Sequence, residues 1–112
     1  MAYAPKNFKW RSSTNVTGST LYTAPSTGDM TFNDITICNS AANTITWDLY
    51  YTSGGTDYYL YSDQTVAADE TKEILGVKTL VDGEILKFTC TAPSGGGGYI
   101  YVTGSGPEND NT

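Results

Sequence analysis

Acidic side chains have the most scope for chemistry in this sequence, because it contains no histidine. Histidine is the commonest general base and the commonest protein ligand of metals, so Ser-His-Asp and Cys-His centres are excluded within the chain. A pair of carboxylates could hydrolyse a glycoside. Four acids lie on or beside predicted connections: Asp57, Asp63, Asp69 and Glu70. Acids at such positions ordinarily keep turns hydrated, so we predict no catalytic residue and no enzyme activity.

Metal and cofactor sites lack the residues that they need. A zinc site would have to combine Cys38 and Cys90 with carboxylates, and no run of acids has the spacing of a calcium-binding loop. The glycines at 95–98 could cradle a phosphate only if Lys-Ser/Thr and a helix followed, but Tyr99 and Ile100 begin a predicted strand. We predict no metal, no cofactor, and a flexible hairpin tip at the glycine run.

The composition is that of a small, turn-rich β-protein. The chain has 112 residues, enough for one domain, with 12 glycines, 9 tyrosines and only 16% charged residues. Its net charge of −6 is uneven: residues 1–18 carry three basic side chains and no acid, which leaves −9 on the remainder. The acidic charge of residues 19–112 argues against general binding of nucleic acid, because such binding needs a basic face.

The sequence shows no apolar run of the length of a signal peptide or a transmembrane segment. We therefore expect no membrane association, and assembly in a cytoplasm. In that compartment Cys38 and Cys90 are expected to be free, buried thiols. A bridge between them stays open, because the two sheets of a sandwich could bring them face to face.

Alternating apolar residues predict a series of strands. The clearest is the run in which Ile45, Trp47, Leu49 and Tyr51 take every second position. Similar short runs recur about every eight to twelve residues, with proline and glycine turns between them. The alternation changes phase across Asn33-Asp34, which predicts a β-bulge or a change of sheet.

This pattern predicts an all-β fold, a single antiparallel β-sandwich of jelly-roll or immunoglobulin-like form. Cys38, Trp47 and Cys90 follow the immunoglobulin order. However, Trp47 lies only nine residues after Cys38, and Phe88 stands where a tyrosine would form the corner hydrogen bond. We predict three parts along the chain: an extended N-terminal arm at 1–18, the sandwich at 19–104, and a flexible acidic tail at 105–112.

The arm is the strongest candidate for binding a partner. Cations and aromatics alternate along it: Lys6, Phe8, Lys9, Trp10 and Arg11. The preferred hypothesis is that Phe8 and Trp10 anchor in a partner's apolar pocket while the cations face carboxylates there. The alternative is that the arm folds back over an unpaired edge of its own sandwich. Stacking on nucleic acid is not favoured, because the arm has only three charges and the body repels phosphate.

Tyrosines form a second candidate surface. Tyr51 shares the face of Trp47 and is expected in the core, whereas four others are possible surface contacts: Tyr50, Tyr58, Tyr59 and Tyr61. Exposed tyrosines can form a protein interface or stack on sugars. They are also ordinary cross-strand pairs in a sheet.

Several segments together resemble a known group of proteins. Leu21–Pro25 reads Leu-Tyr-Thr-Ala-Pro, one strand ends at Cys38-Asn39-Ser40, another ends at Tyr50-Tyr51, and Leu80–Glu84 forms a late turn. This order resembles small all-β structural proteins of tailed bacteriophages, in which a Leu-Tyr-Thr-x-Pro opening precedes strands of similar pattern. The resemblance covers about residues 20–103 and rests on turns and strands.

The resemblance implies a protein of the virion, assembled in the host cytoplasm. It implies an accessory role, either in decorating the capsid or in a neck, tail or fibre. Between these we predict a capsid decoration (cement) protein whose partners are the major capsid protein or another virion protein, and copies of itself. A neck, tail or fibre component is the alternative within that class. A host-surface carbohydrate-binding module using the tyrosines is the alternative outside it.

Overall fold

The computed structural model describes residues 3–74, 78–93 and 98–111, and these form ten β-strands. In chain order the strands are β1 Tyr3–Ser12, β2 Val16–Thr23, β3 Gly28–Phe32, β4 Asp34–Asn39, β5 Ile45–Ser53, β6 Thr56–Val66, β7 Thr71–Ile74, β8 Lys78–Val81, β9 Ile85–Cys90 and β10 Ile100–Asp110. No helix long and apolar enough to cross a membrane occurs among the described residues.

The antiparallel pairings are nested. Strand β1 pairs with β10, β2 with β9, β3 with β8, β4 with β7 and β5 with β6, as in one long hairpin. Pairing of β10 with β3 and β4, and of β9 with β5, rolls this hairpin into a six-stranded and a four-stranded sheet. A rolled hairpin of two packed sheets is a jelly roll. The prediction of a single antiparallel β-sandwich is confirmed, and the nested pairing selects the jelly-roll form.

The core lies between the two sheets, where the inward positions of both are apolar. On β5, Ile45, Trp47 and Leu49 are buried, as their alternation predicted. Trp47 stacks on Phe88 of β9 with ring centroids 5.9 Å apart. The largest fully buried side chains come from both sheets: Phe32, Phe88, Met30, Ile37, Ile45, Leu49, Leu80, Leu86 and Ile100.

The phase change after Phe32 is a break between two strands of one sheet. Strands β3 and β4 both pair with the same edge of β10, and the Asn33 amide donates a hydrogen bond of 2.9 Å to the Ser105 carbonyl between them. The expected change of sheet is therefore wrong. The break brings Gly106 so close to β3 that a Cβ atom there would lie 1.7 Å from the Thr31 carbonyl oxygen.

Both chain ends differ from the predicted arm and tail. Residues 3–12 form β1, which pairs with β10 over its whole length, from Tyr3 opposite Asn109 to Ser12 opposite Ile100. Residues 105–110, predicted as tail, continue β10. The sequence did not predict this because β1 has only one apolar face, and because Gly104, Gly106 and Pro107 obscure the alternation in β10.

The two cysteines are free. Cys38 is half-buried in β4, where it lies opposite Tyr101, and Cys90 is buried at the end of β9 in the other sheet. The alternative of a bridge between them is therefore wrong. Burial raises the pKa of the Cys90 thiol to about 11. The predicted glycine hairpin tip lies outside the described residues except for Gly98.

Candidate interaction surfaces

The acids considered for chemistry stabilise turns and bulges locally. Thr52 donates a hydrogen bond of 2.7 Å to Asp57, and Glu70 accepts one of 2.9 Å from the Ala67 amide. Asp63 has a positive φ of 52° in a bulge of β6, and its amide donates to the Asp48 carboxylate. No group of three potential metal ligands occurs within the described part of the chain. These acidic side chains therefore stabilise the local backbone conformation of turns and bulges.

The two aromatic side chains of β1 lie against the chain's own core. Phe8 is 7% exposed and meets Phe32 edge to face at 5.6 Å. Trp10 is half-buried, packs on Phe88 at 5.3 Å, and donates its indole N–H to Ser19 at 2.8 Å. This differs from the preferred hypothesis, in which they anchor in a partner. Their position matches the alternative, in which the arm covers an edge of its own sandwich.

The three cations of β1 are exposed. Lys6, Lys9 and Arg11 make none of the ion pairs found among the described residues, of which Lys72–Glu70 at 3.9 Å is the one example. Lys9 and Arg11 lie on the outer face of the six-stranded sheet. The Arg11 guanidinium lies 4.6 Å from the centre of the Tyr99 ring, and a shallow groove beside it is lined by Trp10 and Tyr101.

Strand β1 also leaves one row of backbone groups without a partner strand in the described structure. The Ser105 carbonyl points towards Asn33. Backbone groups of successive residues in a strand point in opposite directions, so those of Gly104 and Gly106 point towards β1. Their partners Lys6 and Phe8 therefore bond to β10. Asn7, Lys9 and Arg11 direct their backbone donors and acceptors to the free edge. An unpaired edge of this kind can add a strand from another chain.

The free edge is a candidate interaction feature that the sequence analysis did not predict. Proline and lysine are typical of edge strands, because proline lacks a donor and lysine resists uncontrolled pairing. Pro5 lies opposite Pro107, with Lys9 and Arg11 farther along the same strand. Proline and cations in one segment, together with Phe8 and Trp10 two residues apart, were the sequence pattern that indicates an edge strand.

The tyrosines form two stacked pairs on opposite faces of the four-stranded sheet. Tyr59 stacks on Tyr50 at 4.7 Å on the outer face, and Tyr58 stacks on Tyr51 at 5.2 Å on the inner face. Lys78 lies over the Tyr51 ring at 4.1 Å. Tyr58 and Tyr59 are 48% and 55% exposed.

Two tyrosines considered as surface contacts are less accessible than predicted. Tyr50 is only 5% exposed, because Tyr59 covers its ring and its hydroxyl reaches Gly18 of β2. This corrects its assignment as a surface contact. Tyr61 is half-buried, and its ring centroid lies 5.8 Å from that of Trp47. Tyr58 and Tyr59 remain exposed, but they face opposite ways and so do not form one flat platform for a sugar.

Comparison with known proteins gives structural matches only. No protein-family model matches the chain, and no curated protein matches it. A chain of the acidic-stable capsid of Helicobacter pylori bacteriophage KHP30 matches with a TM-score of 0.65 and 9% identity, covering 96% of this chain and 90% of that one. A chain of the cyanophage Pam1 capsid asymmetric unit matches with a TM-score of 0.55 and 14% identity, covering 95% and 84%. At these identities the similarity is one of fold.

Proposed function

We propose that this chain is a non-enzymatic structural protein of a bacteriophage virion, and specifically a capsid decoration (cement) protein that bridges and stabilises neighbouring major capsid proteins. The observation that carries the proposal is the fold shared along nearly the whole chain with two chains from phage capsids. The match covers 90% and 84% of those two chains.

The surface supports a role in assembly. A protein that stabilises a shell gains free energy from contact area spread over many modest interfaces, each with an apolar centre and a polar rim. The outer faces of both sheets carry threonine and tyrosine together with charged side chains such as Lys9, Arg11 and Lys87. Thr31 and Thr79 form one such polar pair across β3 and β8.

The exposed cations of β1 are the proposed contacts. Lys6, Lys9 and Arg11 face carboxylates of a neighbouring subunit in the particle. Phe8 and Trp10 act as positioning residues, because their burial holds β1 on the sheet and so fixes where the cations point. Tyr58 and Tyr59 supply further area at the opposite side of the sandwich.

Copy number in the particle tests the proposal. Quantitative mass spectrometry of purified particles of the encoding phage would compare this chain with the major capsid protein. A copy number similar to that of the major capsid protein is expected for decoration. A handful of copies per particle would instead indicate a neck, tail or fibre component, and absence from particles would overturn a virion role.

A second measurement tests the stabilising role. Particles lacking the chain should lose their DNA at lower temperature than complete particles, and adding back the purified protein should restore the parent behaviour. Adding back the Lys9→Glu/Arg11→Glu variant should restore it only in part. Equal thermal stability with and without the chain would contradict a cement function.

A further inference from the structure

The sandwich has two opposite lateral sides, each bounded by strands that have one edge without a partner strand among the described residues. On one side β1 ends the six-stranded sheet and β2 ends the four-stranded sheet, and the Trp10–Ser19 hydrogen bond joins them. On the other side β6 ends the four-stranded sheet, and β7 and β8 end the six-stranded sheet, where β8 carries Lys78. A recess of about 150 Å³ between β6 and β7 is lined by side chains that include Gln64, Lys72 and Glu73.

These two sides carry opposite charge. The edge strands β1 and β2 carry Lys6, Lys9 and Arg11 and no acid, and Asp34 of β4 shares an outer groove with Lys9. The segment from β6 to β7, residues 56–74, has five acids and one lysine, which gives a net charge of −4. Those acids are Asp57, Asp63, Asp69, Glu70 and Glu73, all exposed except the half-buried Glu70.

From this charge separation we infer that the basic β1 side of one copy binds the acidic β6–β7 side of the next copy. The inference rests on the proposed function, because it names the neighbouring subunit that faces the cations. The unpaired backbone groups beside Asn7, Lys9 and Arg11 supply hydrogen bonds, and the cations supply complementarity and choice of partner.

The contact is heterologous. Two β1 edges meeting each other would bring Lys9 and Arg11 of both copies together, and facing like charges destabilise a strand pair. A contact between the β1 side of one copy and the β6–β7 side of the next avoids that repulsion. A head-to-tail contact closes into a ring if its rotation permits, and otherwise continues as an open array. The acidic body excludes nucleic acid as the preferred occupant, because it repels phosphate.

Sedimentation equilibrium of the purified chain tests the contact. The parent should self-associate at about 50 mM salt, and more weakly at about 500 mM, because exposed charge pairs are screened. Lys9→Glu/Arg11→Glu should weaken the association by at least about tenfold, and so should Asp57→Lys/Glu73→Lys. Lys87→Glu, in the central strand β9, is the matched control and should change it by less than about twofold. Circular dichroism would verify that each variant is folded.

A charge exchange separates a specific contact from general charge effects. The chain carrying all four reversals should associate about as tightly as the parent, because each side regains its complement. Failure of the four-fold variant to recover, or unchanged association of the single-side variants, would overturn the inference. So would a parent chain that is monomeric at about 1 mM. That last result leaves the capsid proposal intact, since particle copy number measures it independently.

Discussion

The Tyr22 hydroxyl donates a hydrogen bond to the Glu108 carboxylate and so joins the two sheets. Tyr22 belongs to β2 in the four-stranded sheet, and Glu108 lies near the end of β10 in the six-stranded sheet. The Tyr22 ring also meets Phe32 edge to face at 5.5 Å. Residues that looked like a loose acidic tail are therefore tied to the body by a cross-sheet bond.

Removing that hydroxyl should destabilise the fold. Tyr22→Phe keeps the ring contact with Phe32 but leaves the Glu108 carboxylate without its donor. We expect the free energy of unfolding to fall by about 1–2 kcal/mol, because a hydrogen bond to a charged group is lost from a half-buried position. Urea unfolding would measure it. Tyr3→Phe, at a 62% exposed position, is the control and should change it by less than about 0.5 kcal/mol. Equal effects would contradict the assignment.

The same pair predicts a dependence on alkaline pH. Burial, and then the Glu108 carboxylate, raise the pKa of Tyr22 well above its ordinary value of 10.0. The folded chain therefore keeps this proton where the unfolded chain has lost it. The stabilisation is complete below about pH 10 and decreases as the pH rises further. The stability difference between parent and Tyr22→Phe should thus shrink from about pH 9.5 to 11.5. A constant difference would refute the coupling, and the Cys90 titration cancels because both proteins contain it.

The strand pattern was predictable where one face of a strand is buried and the other is not. Ile45, Trp47 and Leu49 specify β5 by themselves, because the alternation is uninterrupted. Tyr50 shows the limit of that reasoning. Its outward direction follows from the alternation, but its burial depends on Tyr59 and Gly18, which belong to two other strands. Such contacts depend on the register between neighbouring strands, and the sequence of a single strand does not determine that register.

The place of the N-terminal segment was not predictable for a related reason. Phe8 and Trp10 at a spacing of two fit either an edge strand or an anchor in a partner. What decides between them is a long-range partner, since β1 pairs with a strand roughly a hundred residues later in the chain, from Ser12 opposite Ile100 to Tyr3 opposite Asn109. The charge separation of the chain was visible in the sequence. That its two parts lie on opposite sides required the fold.

The two thiols should differ in reactivity. Cys90 is 3% exposed, and burial raises its pKa, so little thiolate is available at neutral pH. Cys38 is half-buried on the outer side of its sheet. We expect one fast and one slow thiol towards Ellman's reagent in the native chain, with the slow thiol absent from a Cys90→Ala variant. Two fast thiols in urea without reductant would verify that no bridge exists, whereas two equal native rates would contradict the prediction.

Gly106 should tolerate no side chain. A Cβ atom there would lie 1.7 Å from the Thr31 carbonyl oxygen and 3.1 Å from the Phe32 Cα, so β10 and β3 would have to separate. We expect Gly106→Ala to cost about 3 kcal/mol or more in the free energy of unfolding, measured in urea. Ser105→Ala, the adjacent half-buried position, is the control and should cost less than about 1 kcal/mol. A mild effect at Gly106 would show that the strands are farther apart.

Limited trypsin digestion of the isolated chain would test the position of β1. Cleavage after Lys6, Lys9 or Arg11 requires a detached backbone, and pairing with β10 together with the burial of Phe8 keeps it in place. We expect the parent to resist cleavage there. Phe8→Ala should be cut rapidly and lose about 3–4 kcal/mol of stability, because a buried aromatic ring is removed. Asn7→Ala, at the exposed neighbouring position, should behave as the parent does. Rapid cleavage of the parent at these sites would instead favour an arm that detaches and anchors its aromatics in a partner.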